Sequence, residues 1–218
     1  MKYVIIITSL LLVNYNAYAL CPLGDVLLKN NKENEAAAVY MGCADGGDIK
    51  SQYLVGSYFY LGKGVNKSFA SAYTFYNTAA EGGYAPAQVK LALLYWRGEG
   101  VKQDLVKALK WMILANDASA NKWFYPAVDQ GLGPENQDKN VEGYIKQISA
   151  LMNVEQRAEA VNMASEAKFS LLDRKAREVL DDVAYAHFLK NIKDNRNDKA
   201  KLEAIIKDLQ KAALNKRK

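Results

Sequence analysis

Residues 60–82 read YLGKGVNKSFASAYTFYNTAAEG, and residues 96–118 read WRGEGVKQDLVKALKWMILANDA, the same pattern 36 positions later. In this register Gly62 meets Gly98, Gly64 meets Gly100 and Val65 meets Val101. Ser68 meets Asp104, Ala72 meets Ala108, Phe75 meets Trp111 and Ala79 meets Ala115, without a gap. The agreement falls where sterics are strict. Glycine alone takes a left-handed cap freely, so Gly62-x-Gly64 and Gly98-x-Gly100 end a first helix. Ser68 and Asp104 are preferred N-caps for a second. Along that helix Ala72, Phe75, Ala79 and Ala108, Trp111, Ala115 recur at spacings of three and four, which is one helical face. Val65 and Val101 tuck under the turn. Gly56 and Ala92 let a neighbouring helix come close. Glu81 and Asp117 oppose the dipole at the helix end, so a hydrogen bond is expected to hold them.

The unit is therefore a helix hairpin. One hairpin cannot bury both of its apolar faces, whereas stacked hairpins supply each other's core. The expected fold is all-α, an α-solenoid of stacked hairpins with C-terminal capping helices. Its units are 51–83 and 87–118. Backwards, Asp45 aligns with Glu81 and Cys43 with Ala79, giving a partial unit over 22–47. Forwards the pattern decays into a degenerate unit over 121–152. Its helices are expected at 121–130 and 138–152, with an irregular loop over 131–137. Asn153 and Gln156 form a capping box for a following helix. Its apolar face is read as Val161, Ala164, Phe169, Leu172, Ala176, Val179, Val183 and Phe188, with a break near residues 170–172. Lys199–Leu214 reads as a last amphipathic helix.

The residues Tyr95, Gly98, Gly100, Val101, Asp104, Lys107, Ala108, Trp111 and Ala115 resemble the Sel1-like repeat, a relative of the tetratricopeptide repeats. The first copy departs from it at Ser68 and Ser71, where the family pattern has aspartate and lysine. The resemblance covers residues 27–168 and is specific over 51–117. It implies a non-catalytic solenoid that binds a protein partner in a concave groove and scaffolds complexes. Secreted members of the family are linked to the cell envelope and to host interaction, and some cysteine-rich relatives to penicillin binding. Those relatives bridge every hairpin, and this chain has two cysteines in all.

Residues 1–19 have their own logic. Lys2 precedes an apolar run over 3–13, and Ala17-Tyr18-Ala19 is a small-x-small cleavage site, the pattern of a secretory signal peptide. The run is too short for a membrane span of roughly 20 residues. Cleavage is expected after Ala19, which leaves a repeat array over 20–168 in the periplasm or outside the cell. A lipoprotein reading at Cys21 competes, but Leu20 is not the small residue that such a site needs. An oxidising compartment permits a Cys21–Cys43 disulfide. Those two residues open the first helix and close the second of an antiparallel hairpin, where the ends are adjacent.

The net charge is +5, and residues 174–218 alone hold 13 Lys/Arg against 7 Asp/Glu. The rest is near neutral, which excludes a uniform nucleic-acid face. The basic extension over 169–218 reads as capping helices with solvated lysines, or as a weak contact with an anionic surface.

The chemistry-bearing residues are sparse. His187 is the one histidine, and no nucleophile elbow or phosphate loop accompanies it. Asp181 and Asp182 are neighbours on a helix and point apart. Hence no catalytic residue, metal site or cofactor is expected. For partner binding, the first-helix positions between core positions are candidates: Leu54, Ser57, Tyr60 and Leu61, then Lys90, Leu93, Trp96 and Arg97. Tyr60 and Trp96 are repeat-equivalent aromatics, the type that anchors interfaces, or they pack between helices. The leading expectation is a non-catalytic envelope or secreted scaffold. A protein that binds or hydrolyses cell-wall peptides or β-lactams, and a secreted host-interaction factor, are the alternatives.

Overall fold

The structure is a computed structural model that describes residues 21–117, 140–195 and 198–216. Among the described residues the ordered elements are helices, with no strand. Residues 21–29 form α1. Then come α2 (Glu33–Asp45), α3 (Ile49–Leu61), α4 (Phe69–Glu81), α5 (Ala85–Arg97) and α6 (Leu105–Asn116). After them follow α7 (Val141–Ala150), α8 (Val154–Val179), α9 (Asp182–Asp194) and α10 (Lys199–Lys216).

The ends of these helices follow from side-chain chemistry. Asp48 caps α3 by accepting from the Ser51 N–H, a cap that the sequence reading missed by starting the helix at Ser51. Ser68 caps α4 through the Ser71 N–H, and Asp104 caps α6 through the Lys107 N–H. Each such cap is worth about 1 kcal/mol. Gly62 (φ 73°, ψ 33°) and Gly98 (φ 71°, ψ 30°) end α3 and α5 in one left-handed conformation. The chain then returns along the same path in both copies. The Ser68 N–H donates to the Phe59 carbonyl at 2.9 Å, and the Asp104 N–H to the Tyr95 carbonyl at 3.0 Å.

Packing runs in sequence order. α2 lies on α3, α3 on α4, α4 on α5 and α5 on α6, and α6 then takes both α7 and α8. The alanine face fills these seams. Ala72, Ala79 and Ala108 are fully buried, and Trp111 and Ala115 nearly so. Gly56 is where α3 approaches α4, since an added Cβ would lie 2.7 Å from the Tyr76 ring. At the next turn Gly100 (φ 72°) sits directly against the Phe69 carbonyl, so a Cβ has no room there. Pro86 falls in the first turn of α5, where its missing N–H costs nothing. Glu81 accepts from Asn77 at 2.9 Å, and Asp117 is paired with Lys168, so both helix-end acids are held from outside the backbone.

Cys21 and Cys43 are bonded to each other, with Cα atoms 5.9 Å apart. The bond joins α1 to α2 in a terminal hairpin. Asp25 of that hairpin receives the Tyr40 hydroxyl and, at 3.0 Å, the Lys50 ammonium of α3. The terminal hairpin is thereby tied to the next.

Two expectations about the second half of the chain are corrected. α8 runs unbroken through residues 170–172, because no glycine or proline interrupts it and Leu172 is buried in its middle. The turn comes later, at Leu180, where Asp181 caps α9 through the Ala184 N–H. The buried face of α8 is Ala160, Ala164, Leu172 and Ala176. Val161 is 50% and Val183 82% exposed, so neither belongs to it. α8, α9 and α10 enclose a separate small core of Leu172, Ala176, Phe188, Ile206 and Leu209. The Asn153–Gln156 capping box is formed. In α7, Ile148 is fully buried, and Val141 and Tyr144 pack partly buried on the main core. The expected helix over 121–130 and the loop over 131–137 lie outside the described residues.

Candidate partner-binding surface

The eight first-helix candidates divide by environment. Ser57 is 8% and Leu93 7% exposed, which corrects their reading as groove-facing residues. The reason is that α3 and α5 are each covered on two sides, by their own second helix and by the preceding hairpin. The Ser57 hydroxyl donates to the Tyr53 carbonyl and accepts from the Tyr76 hydroxyl of α4, each at 3.1 Å. Leu93 joins the main core.

Tyr60 and Trp96 are half-buried, and both bridge one unit to the next. The Tyr60 ring lies tilted on Phe69, with centroids 5.2 Å apart. Its hydroxyl donates to Glu99 at 3.1 Å and accepts from Arg97 at 3.2 Å, both in the second hairpin. Burial, and then the Glu99 carboxylate, raise the Tyr60 phenol above its ordinary pKa, while Arg97 pulls the other way. Trp96 stands edge-on to Tyr144 of α7, 5.9 Å between centroids. The equivalence of the two aromatics is thus one of packing between units, as the alternative reading had it, and both keep part of their surface exposed.

Leu61 and Arg97, which are themselves repeat-equivalent, are exposed. Leu54 and Lys90 are intermediate. His187 is exposed, and its Nδ1 meets the Asn191 side chain at 3.2 Å. Among the described residues no group of three His, Cys, Asp or Glu residues could hold a metal ion. No helix among them is long and apolar enough to cross a membrane.

Short antiparallel helices, glycine-capped turns and a small-residue seam repeated at fixed register define an α-solenoid. The family model for "Sel1 repeat" matches residues 49–84, 85–119 and 113–132. The first match spans α3 and α4, the second spans α5 and α6, and the third begins in the last turns of α6. Such repeats are generally protein-interaction scaffolds rather than catalysts. Chitin synthase regulatory factor 2 of Schizosaccharomyces pombe is 34% identical over 83 residues, 38% of this chain and 16% of that protein. The chain therefore spans about one sixth of the length of that curated relative. Among solved structures, a protective antigen of uropathogenic Escherichia coli displaying an SLR fold superposes with a TM-score of 0.55 at 20% identity. The match covers 76% of this chain and 33% of the antigen. A Sel1 repeat protein from Oxalobacter formigenes is 24% identical over 69% of this chain and 63% of its own, with a TM-score of 0.44.

Proposed function

We propose that the chain is exported, trimmed after Ala19, and serves as a non-catalytic scaffold for a protein partner in the periplasm or the extracellular space. The observation that carries this reading is the repeated seam. Two hairpins with the same caps stack in register, and stacking of this kind builds an extended surface suited to a polypeptide. Export is supported by the apolar run and the Ala17-Tyr18-Ala19 site, and by the bonded pair Cys21–Cys43, which suits an oxidising compartment.

The partner surface lies on the exposed ends of α3 and α5, around Leu61 and Arg97. Ser57 and Leu93 are spent on the core, and Tyr60 and Trp96 on the junctions between units. The test is crosslinking in living cells, with the tagged full chain as bait, followed by fractionation. A discrete protein should be captured from the periplasm or medium, and Leu61→Glu with Arg97→Ala should reduce its yield. Capture that survives both substitutions would place the partner surface elsewhere. A chain found only in the cytoplasmic fraction would refute the address, and no captured protein would refute the scaffold.

A further inference from the structure

The C-terminal end of α4 and the facing sides of α6 and α8 enclose a cleft of about 290 Å³. Trp111 and Leu114 of α6 and Leu171 of α8 form apolar walls. Its charged groups are Lys110, Arg174 and Glu81. Arg174 donates from Nη2 to the Glu81 main-chain carbonyl at 2.8 Å, which holds the guanidinium over the end of α4. That bond uses one of five N–H groups on the fork. Lys110 is half-buried, with its ammonium 4.3 Å from the centre of the Trp111 ring.

The ion pairs among the described residues leave both cations out. Lys168, one helical turn from Leu171, is taken by Asp117. The Glu81 carboxylate receives Asn77, and among the described residues neither Lys110 nor Arg174 is ion-paired with it or with another carboxylate. Burial lowers the Lys110 pKa, and Glu81 opposes that shift. Glu81 therefore acts on Lys110 only from beyond ion-pair reach, and a half-buried cation in that position gains from a ligand that brings a carboxylate closer.

The size and walls restrict the ligand. At about 290 Å³ the cleft sits at the lower edge of small-ligand pockets. A bare inorganic anion would leave Trp111, Leu114 and Leu171 without contact. What fits is an apolar group with a carboxylate on the neighbouring carbon. A guanidinium takes a carboxylate through two parallel N–H bonds, and the Lys110 ammonium adds a point charge to the same cleft. Ser170 and Arg174 at the rim are exposed, so a chain attached to the bound residue has a way out.

We propose that this cleft binds the free C-terminal carboxylate of a partner polypeptide whose last side chain is apolar. This rests on the scaffold reading and adds the chemical class of what is held. The probe is a fluorescein-labelled hexapeptide, Gly-Ser-Gly-Ser-Ala-Leu, as free acid and as carboxamide, titrated with the full chain by anisotropy. An array of free-acid peptides varied at the last two positions runs alongside.

The expected result is preference for apolar last residues and at least about tenfold weaker binding of the amide. Lys110→Met and Arg174→Met should each weaken the free acid about tenfold, and Lys110→Arg should largely retain it. Lys63→Met should have no effect. Urea midpoints of the variants separate lost binding from lost fold. Equal binding of acid and amide, or no binder in the array, overturns the proposal. Competition by free N-acetylleucine as effective as the hexapeptide overturns the assignment to a chain end. Capture of a partner in cells that is indifferent to both methionine variants sinks the cleft alone, whereas no capture at all sinks the scaffold beneath it.

Discussion

Tyr73 of α4 and Tyr95 of α5 place their hydroxyls 2.9 Å apart across the seam between the two hairpins, with the rings edge to face at 5.7 Å. Neither residue belongs to the glycine–alanine signature. The contact exists because that signature brings α4 and α5 close enough for two tyrosines to meet. An edge-to-face pair contributes about 1 kcal/mol beyond its burial, and the hydroxyl bond about as much again.

The turn glycines should rank by geometry. Gly98→Ala pays the left-handed backbone cost alone, roughly 1–2 kcal/mol, since its added Cβ finds its nearest atom at 3.4 Å. Gly100→Ala pays that cost and also drives a methyl into the Phe69 carbonyl, so its loss should exceed that of Gly98→Ala by at least about 1 kcal/mol. Gly42→Ala lies mid-helix with open space around it and should stabilise by about 0.5–1 kcal/mol. Urea unfolding of the three variants checks the order.

Breaking the terminal bridge should destabilise mainly by freeing the unfolded chain. The bond spans 22 residues of sequence, which corresponds to about 3 kcal/mol by loop closure. Cys21→Ser with Cys43→Ser should lower the unfolding free energy by that amount, and the urea midpoint with it. Hydrogen exchange should speed up first in α1 and α2. A loss below about 1 kcal/mol, or protection unchanged there, counts against the hairpin as drawn.

Trp96→Ala should behave as a packing variant rather than a binding variant. It removes the contact with Tyr144 and part of the main core, at roughly 3 kcal/mol. Thermal unfolding should show the loss with no partner present. A variant that keeps wild-type stability would restore Trp96 as an exposed anchor.

Stability should fall on the alkaline side through the tyrosines. Burial pushes Tyr58 and Tyr84 up to about 12 and raises Tyr60 as well. Above pH of about 10 the unfolded chain loses these protons while the folded chain keeps them. Their contribution is therefore complete below the unfolded pKa and is lost as pH climbs through the folded values. The urea midpoint should be flat from about pH 7 to 9 and then decline toward pH 12, with the tyrosinate absorbance at 295 nm, roughly, rising late. A folded protein whose tyrosines all titrate at about 10 would contradict the burial described.

What the sequence made legible is what local sterics decide. Gly62 and Gly98 must take a left-handed cap, Ser68 and Asp104 must satisfy an amide three residues on, and Asn153 with Gln156 must close a box. Each of these is settled within one turn of helix. The two faces of α3 and α5 were not separable by spacing, because both faces are covered. Ser57 and Leu93 were accordingly placed outside when they lie within. Capacity for partner contact at Tyr60 and Trp96 was read from residue type, and the neighbours that consume it, Glu99 and Tyr144, come 39 and 48 residues later. The cleft at Lys110 had no local signal at all, since Arg174 reaches Glu81 across a separation of 93 residues.

The stacking of one hairpin on the next is tested most directly by a double-mutant cycle on Tyr73 and Tyr95. Tyr73→Ala, Tyr95→Ala and the pair would be unfolded in urea under identical conditions. The account predicts a coupling energy of about 1–2 kcal/mol between two residues on different hairpins. Losses that simply add, within about 0.3 kcal/mol, would mean that the two side chains never meet and that the hairpins do not stack in this register.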